Sequence, residues 1–163
     1  MDGVRMSFLE SRGMHIRERT VINRPAAAVW PYIVTPEKFQ EWNEKVSSME
    51  ARGGFRLGQR FVTHYTWKNK QIQCQSVAVR LEEGRVLELR HASPIGQGLN
   101  CDLEVIERVT LEDRGARSVV TKDVYFRNHD LPWFLVPLVW FITRFGKPVG
   151  RDRLKAMCEG ETA

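Results

Sequence analysis

This 163-residue chain has few cysteines, and the three it has, Cys74, Cys101 and Cys158, are far apart with no Cys-x-x-Cys pair. An odd, scattered set excludes a disulfide framework and a zinc knuckle, and it fits reduced thiols in a cytosol. No two histidines stand at metal-ligand spacing and no Gly-x-Ser-x-Gly elbow occurs. The glycines of Arg52–Gly58 are not followed by Gly-Lys-Ser/Thr, so a phosphate-binding loop is excluded. Gly96-Gln97-Gly98 opens no helix, which removes a dinucleotide site. Internal repeats and low-complexity tracts are absent. Basic residues never run longer than two, so the net charge of +5 and pI near 9.4 do not make a nucleic-acid surface. Residues 1–13 lack the apolar core of a secretory signal, and a cytoplasmic, bacterial-type protein is expected. No cofactor and no metal is implied.

Long apolar runs are also missing, with one partial exception. Leu131–Ile142 is dense in aliphatic and aromatic residues but ends after 12, broken by Pro132 and Pro137 and followed by Arg144 and Lys147. A transmembrane helix needs about 20 apolar residues, so a span is disfavoured. A helix resting on a membrane surface stays open, and with it peripheral membrane contact. Within the wider stretch Leu131–Cys158, Leu138, Ile142, Phe145 and Val149 recur on one helical face. Burying four such side chains supplies roughly 6–12 kcal/mol, comparable to a small domain's net stability. The rest of the fold is therefore expected to receive this helix. Pro148, between Gly146 and Gly150, should kink it.

Hydrophobic content of 42% and charged content of 28% are those of a globular domain. Residues 14–159 are expected to form one domain, with 1–13 a flexible arm and 160–163 a tail. Met14–Asn23 reads as a first strand. Pro25 at the first helical position and the alanines after it predict a helix over Ala26–Val34. Thr35-Pro36-Glu37 opens a second, carrying Phe39 and Trp42 on one face. Beyond Gly53-Gly54 the period changes from helical to alternating. Strands are expected at Lys45–Glu50, Phe61–Trp67, Gln71–Leu81, Arg85–Ala92, Leu99–Val105 and Ala116–Phe126, the last turning from its neighbour at Asp113-Arg114-Gly115. In Gln71–Leu81 the apolar phase shifts between Cys74 and Val77, which predicts a bulge near Gln75. Short connections make the strands antiparallel.

Val21-Ile22-Asn23-Arg24-Pro25-Ala26-Ala27-Ala28-Val29-Trp30, then Thr35-Pro36-Glu37-Lys38-Phe39 and Trp42-Asn43, resemble the N-terminal pattern of the START-related superfamily (SRPBCC), the group of polyketide cyclases/dehydratases and lipid-transport proteins. The likeness continues through Gly58 and Leu154-Lys155, covering about Met14 to Glu159. It implies an α+β helix-grip fold: a curved seven-stranded antiparallel sheet, two short helices after strand 1, and a long C-terminal helix over an internal cavity. Pro148 and the aromatic start of the terminal helix depart from the usual pattern.

Such a cavity binds a ring system or acyl chain against apolar walls, with a few polar groups orienting it. The lining candidates are Phe61, Tyr65, Trp67, Leu89, His91, Phe126, Trp133, Phe134, Leu138 and Phe141. For any single one of the aromatics, solid core is the favoured reading. His91, in phase with Leu87 and Leu89, is the one weak catalytic candidate, able to exchange a proton with a bound carbonyl or simply to be a satisfied core group. His64 and Tyr65 point to opposite faces, and His129 beside Asp130 reads as a capping or loop residue. Asp102 and Glu104 fall in the polar phase and are expected to be wet. Three functions stay open: binding of a small hydrophobic ligand (lipid, isoprenoid or aromatic polyketide-like), a cyclase/dehydratase-type enzyme using cavity polar groups as acid and base, and an interaction module docking on a partner or membrane surface. Oligomeric state is not legible.

Overall fold

The computed structural model describes residues 14–43, 46–67, 70–96, 99–100, 104–127 and 151–160. Eleven elements follow in order among them: β1 (Met14–Ile22), α1 (Ala26–Val34), α2 (Pro36–Trp42), β2 (Val46–Met49), β3 (Arg60–Trp67), β4 (Lys70–Glu82), β5 (Val86–Gly96), β6 (Leu99–Asn100), β7 (Glu104–Arg114), β8 (Arg117–Arg127) and α3 (Arg151–Glu159). Seven strands form one antiparallel path, β1-β8-β7-β5-β4-β3-β2, and two-residue β6 pairs with β5 off that path. The architecture is the α+β helix-grip fold, a curved sheet with its helices on the inner side.

Composition explains the helices. The alanines start α1 directly after Pro25, which lies extended (ψ 152°) at the cap rather than inside the first turn as expected. Proline has no N–H to donate, so neither position leaves a helical hydrogen bond unmade. Pro36 does occupy the first turn of α2. Phe39 and Trp42 are buried together, their rings edge-to-face at 4.8 Å, and Phe39 meets Phe55, which in turn meets Phe61. The Trp42 indole donates to the Tyr32 carbonyl at 2.8 Å, locking α2 against α1. Gly58 adopts φ +76°, the left-handed region that a side chain resists, and its amide bonds the Ala78 carbonyl at 2.8 Å.

Cross-strand register sorts the side chains. Directly opposed residues share a face in an antiparallel sheet, so Phe61, Ser76, His91, Val105 and Phe126 form one row of the inner face. Ala78, Leu89, Glu107 and Val124 form the next, and Leu87, Val109 and Lys122 a third. The outer face carries a ladder of alternating charge, Arg17–Asp123–Arg108–Glu88. Its ion pairs close at 2.7 Å (Arg17–Asp123) and 2.6 Å (Arg108–Glu88). Glu104 belongs to this face but is not wet: it is 8% exposed and held by Arg90 at 2.8 Å and Arg127 at 3.1 Å. Cross-strand arginines, invisible to alternation along one strand, cover it. Asp102 lies outside the described residues.

Two strands differ from expectation. The phase shift of β4 comes later than Gln75: Cys74, Ser76 and Ala78 keep one buried face, and the register steps between Ala78 and Arg80, placing the extra residue at Val79. A second irregularity opposite Gln73–Gln75 inserts its extra residue in β5. Small Ser76 and Ala78 hide the alternation that the bulkier Val77 and Val79 mimic. The strand expected at Leu99–Val105 divides between β6 and the start of β7, whose 11 residues run to Arg114.

Of the terminal helix, α3 is described, and it packs on β1, α1 and α2. Leu154 and Cys158, four apart, are buried at 2% and 5% exposure, and Glu159 accepts the Asn23 amide at 2.7 Å. The stretch 131–150, with the recurrent face from Leu138 to Val149 and the Pro148 kink, lies outside the described residues, as do arm 1–13 and, of the tail 160–163, residues 161–163.

Candidate functional site

Across the inner face runs a chain of polar groups that crosses five strands. On β3 and β4, Thr63 Oγ1 and Ser76 Oγ are 2.8 Å apart. Ser76 Oγ meets His91 Nδ1 on β5 at 2.7 Å. His91 Nε2 lies 3.5 Å from Glu107 Oε2 on β7, in ion-pair contact but too distant for a good hydrogen bond. Glu107 Oε1 takes Lys122 Nζ of β8 at 2.8 Å and the Asn43 amide, at the end of α2, at 3.0 Å. Lys122 Nζ also stands over the Trp42 ring, 5.4 Å from its centroid.

These groups are deeply buried: His91 is 1% exposed and Glu107 5%. Burial alone would push the Glu107 carboxyl up, but the Lys122 charge and the adjoining His91 ring outweigh it and hold the group at about 2. Glu107 is therefore an ionised carboxylate inside the protein, with one oxygen doubly paired. The His91 Nε2 atom has no hydrogen-bond partner among the described residues. A ring nitrogen whose lone pair faced an ionised carboxylate would be repelled, so Nε2 carries a proton, and in the neutral form of the ring Nδ1 accepts from Ser76. Ser76 then accepts from Thr63, giving a relay with one direction.

Tyr65 stands edge-on to His91, ring centroids 5.6 Å apart. Its phenol is pushed well above the ordinary range, first by burial and then by the negative charge of Glu107. Of the expected pocket residues, the structure thus brings Tyr65 and His91 together, with Leu89 fully buried one row away and Phe126 half-buried two strands across. Phe61 shares the face but stacks into the Phe39–Phe55 cluster, a core position. The Trp67 backbone pairs with Lys70, while its side chain lies outside the described residues, as do Trp133, Phe134, Leu138 and Phe141. His64 is on the opposite face, 3.0 Å from Glu50. His129 falls outside. At the α3 end, a small cleft of about 10 Å3 lies among Glu18, Thr20, Trp42, Val120, Lys122 and Leu154, room for about one water molecule. No group of three metal-ligating side chains occurs among the described residues.

Sequence reasoning missed Glu107, Lys122, Ser76, Thr63 and Asn43. A signal existed for the first two. Val105-Glu107-Val109-Leu111 and Val120-Lys122-Val124-Phe126 each place one charge in an otherwise apolar phase. Such a charge must be paired to be buried, and neighbouring strands carrying opposite signs supply the partner.

A curved antiparallel sheet gripping a C-terminal helix, with short helices after its first strand, defines the helix-grip class. The sequence matches the family described as polyketide cyclase / dehydrase and lipid transport over residues 14–159, and the chain belongs to that family. Solved structures agree in fold. A START superfamily protein from Mycobacterium smegmatis is similar with TM-score 0.65 and 10% identity, over 91% of this chain and 99% of that one. Ara h 8.0201 is similar with TM-score 0.62 and 15% identity, over 91% and 99%. DynU16, from the dynemicin biosynthetic locus, is similar with TM-score 0.59 and 16% identity, over 89% of this chain and 47% of that one. No curated protein matches the sequence.

Proposed function

We propose that this protein binds a small hydrophobic ligand, of lipid, isoprenoid or aromatic polyketide-like character, against the inner face of its sheet. The observation that carries the reading is the composition of that face. Apolar side chains surround one fixed polar cluster at Tyr65, His91 and Glu107, the pattern by which concave sites combine affinity with orientation. Family membership points the same way. Titration with Nile red tests it: saturable binding with an emission blue shift is expected, weakened several-fold in Tyr65→Ala, because a ring contributes contact beyond its area. A titration without saturation in the folded protein would refute the reading.

Acid–base catalysis on such a ligand is the second reading, favoured by the ionised Glu107 beside the His91 ring. An imidazole between a carboxylate and a ligand carbonyl can take or give a proton. His91→Gln keeps hydrogen-bonding capacity and cannot shuttle that proton. A binding protein should keep its Nile red affinity in this variant, while an enzyme should lose turnover about a hundredfold or more.

A further inference from the structure

We infer that His91 Nε2 and Glu107 Oε2 form a two-pronged receptor for a ligand hydroxyl, so that the hydrophobic ligand is an alcohol or phenol. The inference deepens the ligand-binding reading and rests on it. The two atoms lie 3.5 Å apart with no hydrogen bond between them. The companion atom of each is committed: His91 Nδ1 to Ser76, and Glu107 Oε1 to both Lys122 and Asn43. That leaves a donor, the Nε2 proton, beside an acceptor, the second carboxylate oxygen, both on deeply buried side chains.

A buried polar atom without a partner costs about 1–3 kcal/mol, more beside a charge, so the unpartnered His91 Nε2 beside the Glu107 carboxylate makes a site that rewards a matching group. A hydroxyl matches both prongs at once, accepting from Nε2 and donating to Oε2. A ketone or ether oxygen can accept from Nε2 but turns a lone pair to the carboxylate. A ligand carboxylate meets the negative charge of Glu107 head-on, since Lys122 and Asn43 neutralise the far oxygen. Tyr65, edge-on to the imidazole, supplies an aromatic surface on which the carbon skeleton beside that hydroxyl can rest.

The test is competition of three naphthalenes against Nile red on the wild-type chain. The expected order is 2-naphthol ahead of 2-methoxynaphthalene by about ten- to hundredfold, the range for a hydrogen bond to a charged group, with 2-naphthoate weakest. On 2-naphthol binding, the 15N resonance of one histidine Nε2, assigned to His91 by its loss in His91→Gln, should move. Glu107→Gln should bring 2-naphthol within about twofold of its methyl ether. Because that change strands the Lys122 cation, Glu107→Gln combined with Lys122→Met, which removes both charges, must give the same levelling. Equal competition by 2-naphthol and 2-methoxynaphthalene, or 2-naphthoate binding tightest, with Nile red still bound, overturns the hydroxyl receptor and leaves ligand binding standing. Failure of Nile red to bind overturns both.

Discussion

Glu107 is the residue on which the site's electrostatics turn. A carboxylate 5% exposed stays ionised because Lys122, Asn43 and His91 converge on it from three elements. Breaking such a pair from one side strands a buried charge, at about 3–5 kcal/mol, whereas removing both partners is often neutral. Lys122→Met alone should therefore lower unfolding free energy by that amount, and Lys122→Met with Glu107→Gln should recover most of it, as read from urea denaturation midpoints. Equal losses in the single and double variants would show that Lys122 stabilises by packing on Trp42 rather than by neutralising Glu107. His91 was legible in the sequence because its strand alternates cleanly with Leu87 and Leu89. Its partners were not, because pairing runs across strands and a single strand's pattern does not state its register. Glu104 misled for the same reason: its polar phase was right, and its burial came from Arg90 and Arg127 on other strands.

Among the elements, α3 ties the sheet to the short helices. Leu154 lies 2% exposed where β1, α1 and α2 meet, and Cys158 one turn on faces the same way, its thiol pushed up to about 11, chiefly by burial. Leu154→Ala should cost about 2–5 kcal/mol, the usual range for a buried leucine, visible as a lower thermal midpoint with the folded spectrum kept. A change within a few tenths of a kcal/mol would mean that the helix is held by its ends alone. Most elements could be read before the structure: β1, α1, α2 and β3 follow from proline, alanine and alternation, local signals that survive into the fold. The error in β4 shows the limit. Alternation assumes that buried means bulky, and Ser76 and Ala78 are buried yet small.

At the scale of the whole molecule, the two faces of the sheet answer different demands. The outer face offsets its charges in a ladder of cross-strand pairs, and the inner face concentrates buried ionic chemistry at one place. That concentration makes the fold acid-sensitive. The Glu107 carboxyl, near 4.5 when free, titrates at about 2 in the folded chain, so its contribution is complete above about pH 4.5 and is lost as pH falls from there through about 2. The contribution is on the order of 3 kcal/mol. Stability measured by urea denaturation should fall across that window in the wild type. The fall should be shallower by about that amount in the Glu107→Gln, Lys122→Met double variant. Identical acid profiles would place the acid-sensitive groups elsewhere.

Ligand binding on the inner face is tested most directly by mapping amide shifts in a 15N-labelled sample titrated with Nile red. The largest shifts should fall at Tyr65, Leu89, His91 and Phe126, which the register gathers on one side. Arg17, Arg108 and Asp123, on the other side, should stay in place. Saturable shifts confined to those outer-face residues, with His91 and Tyr65 unmoved, would contradict the account.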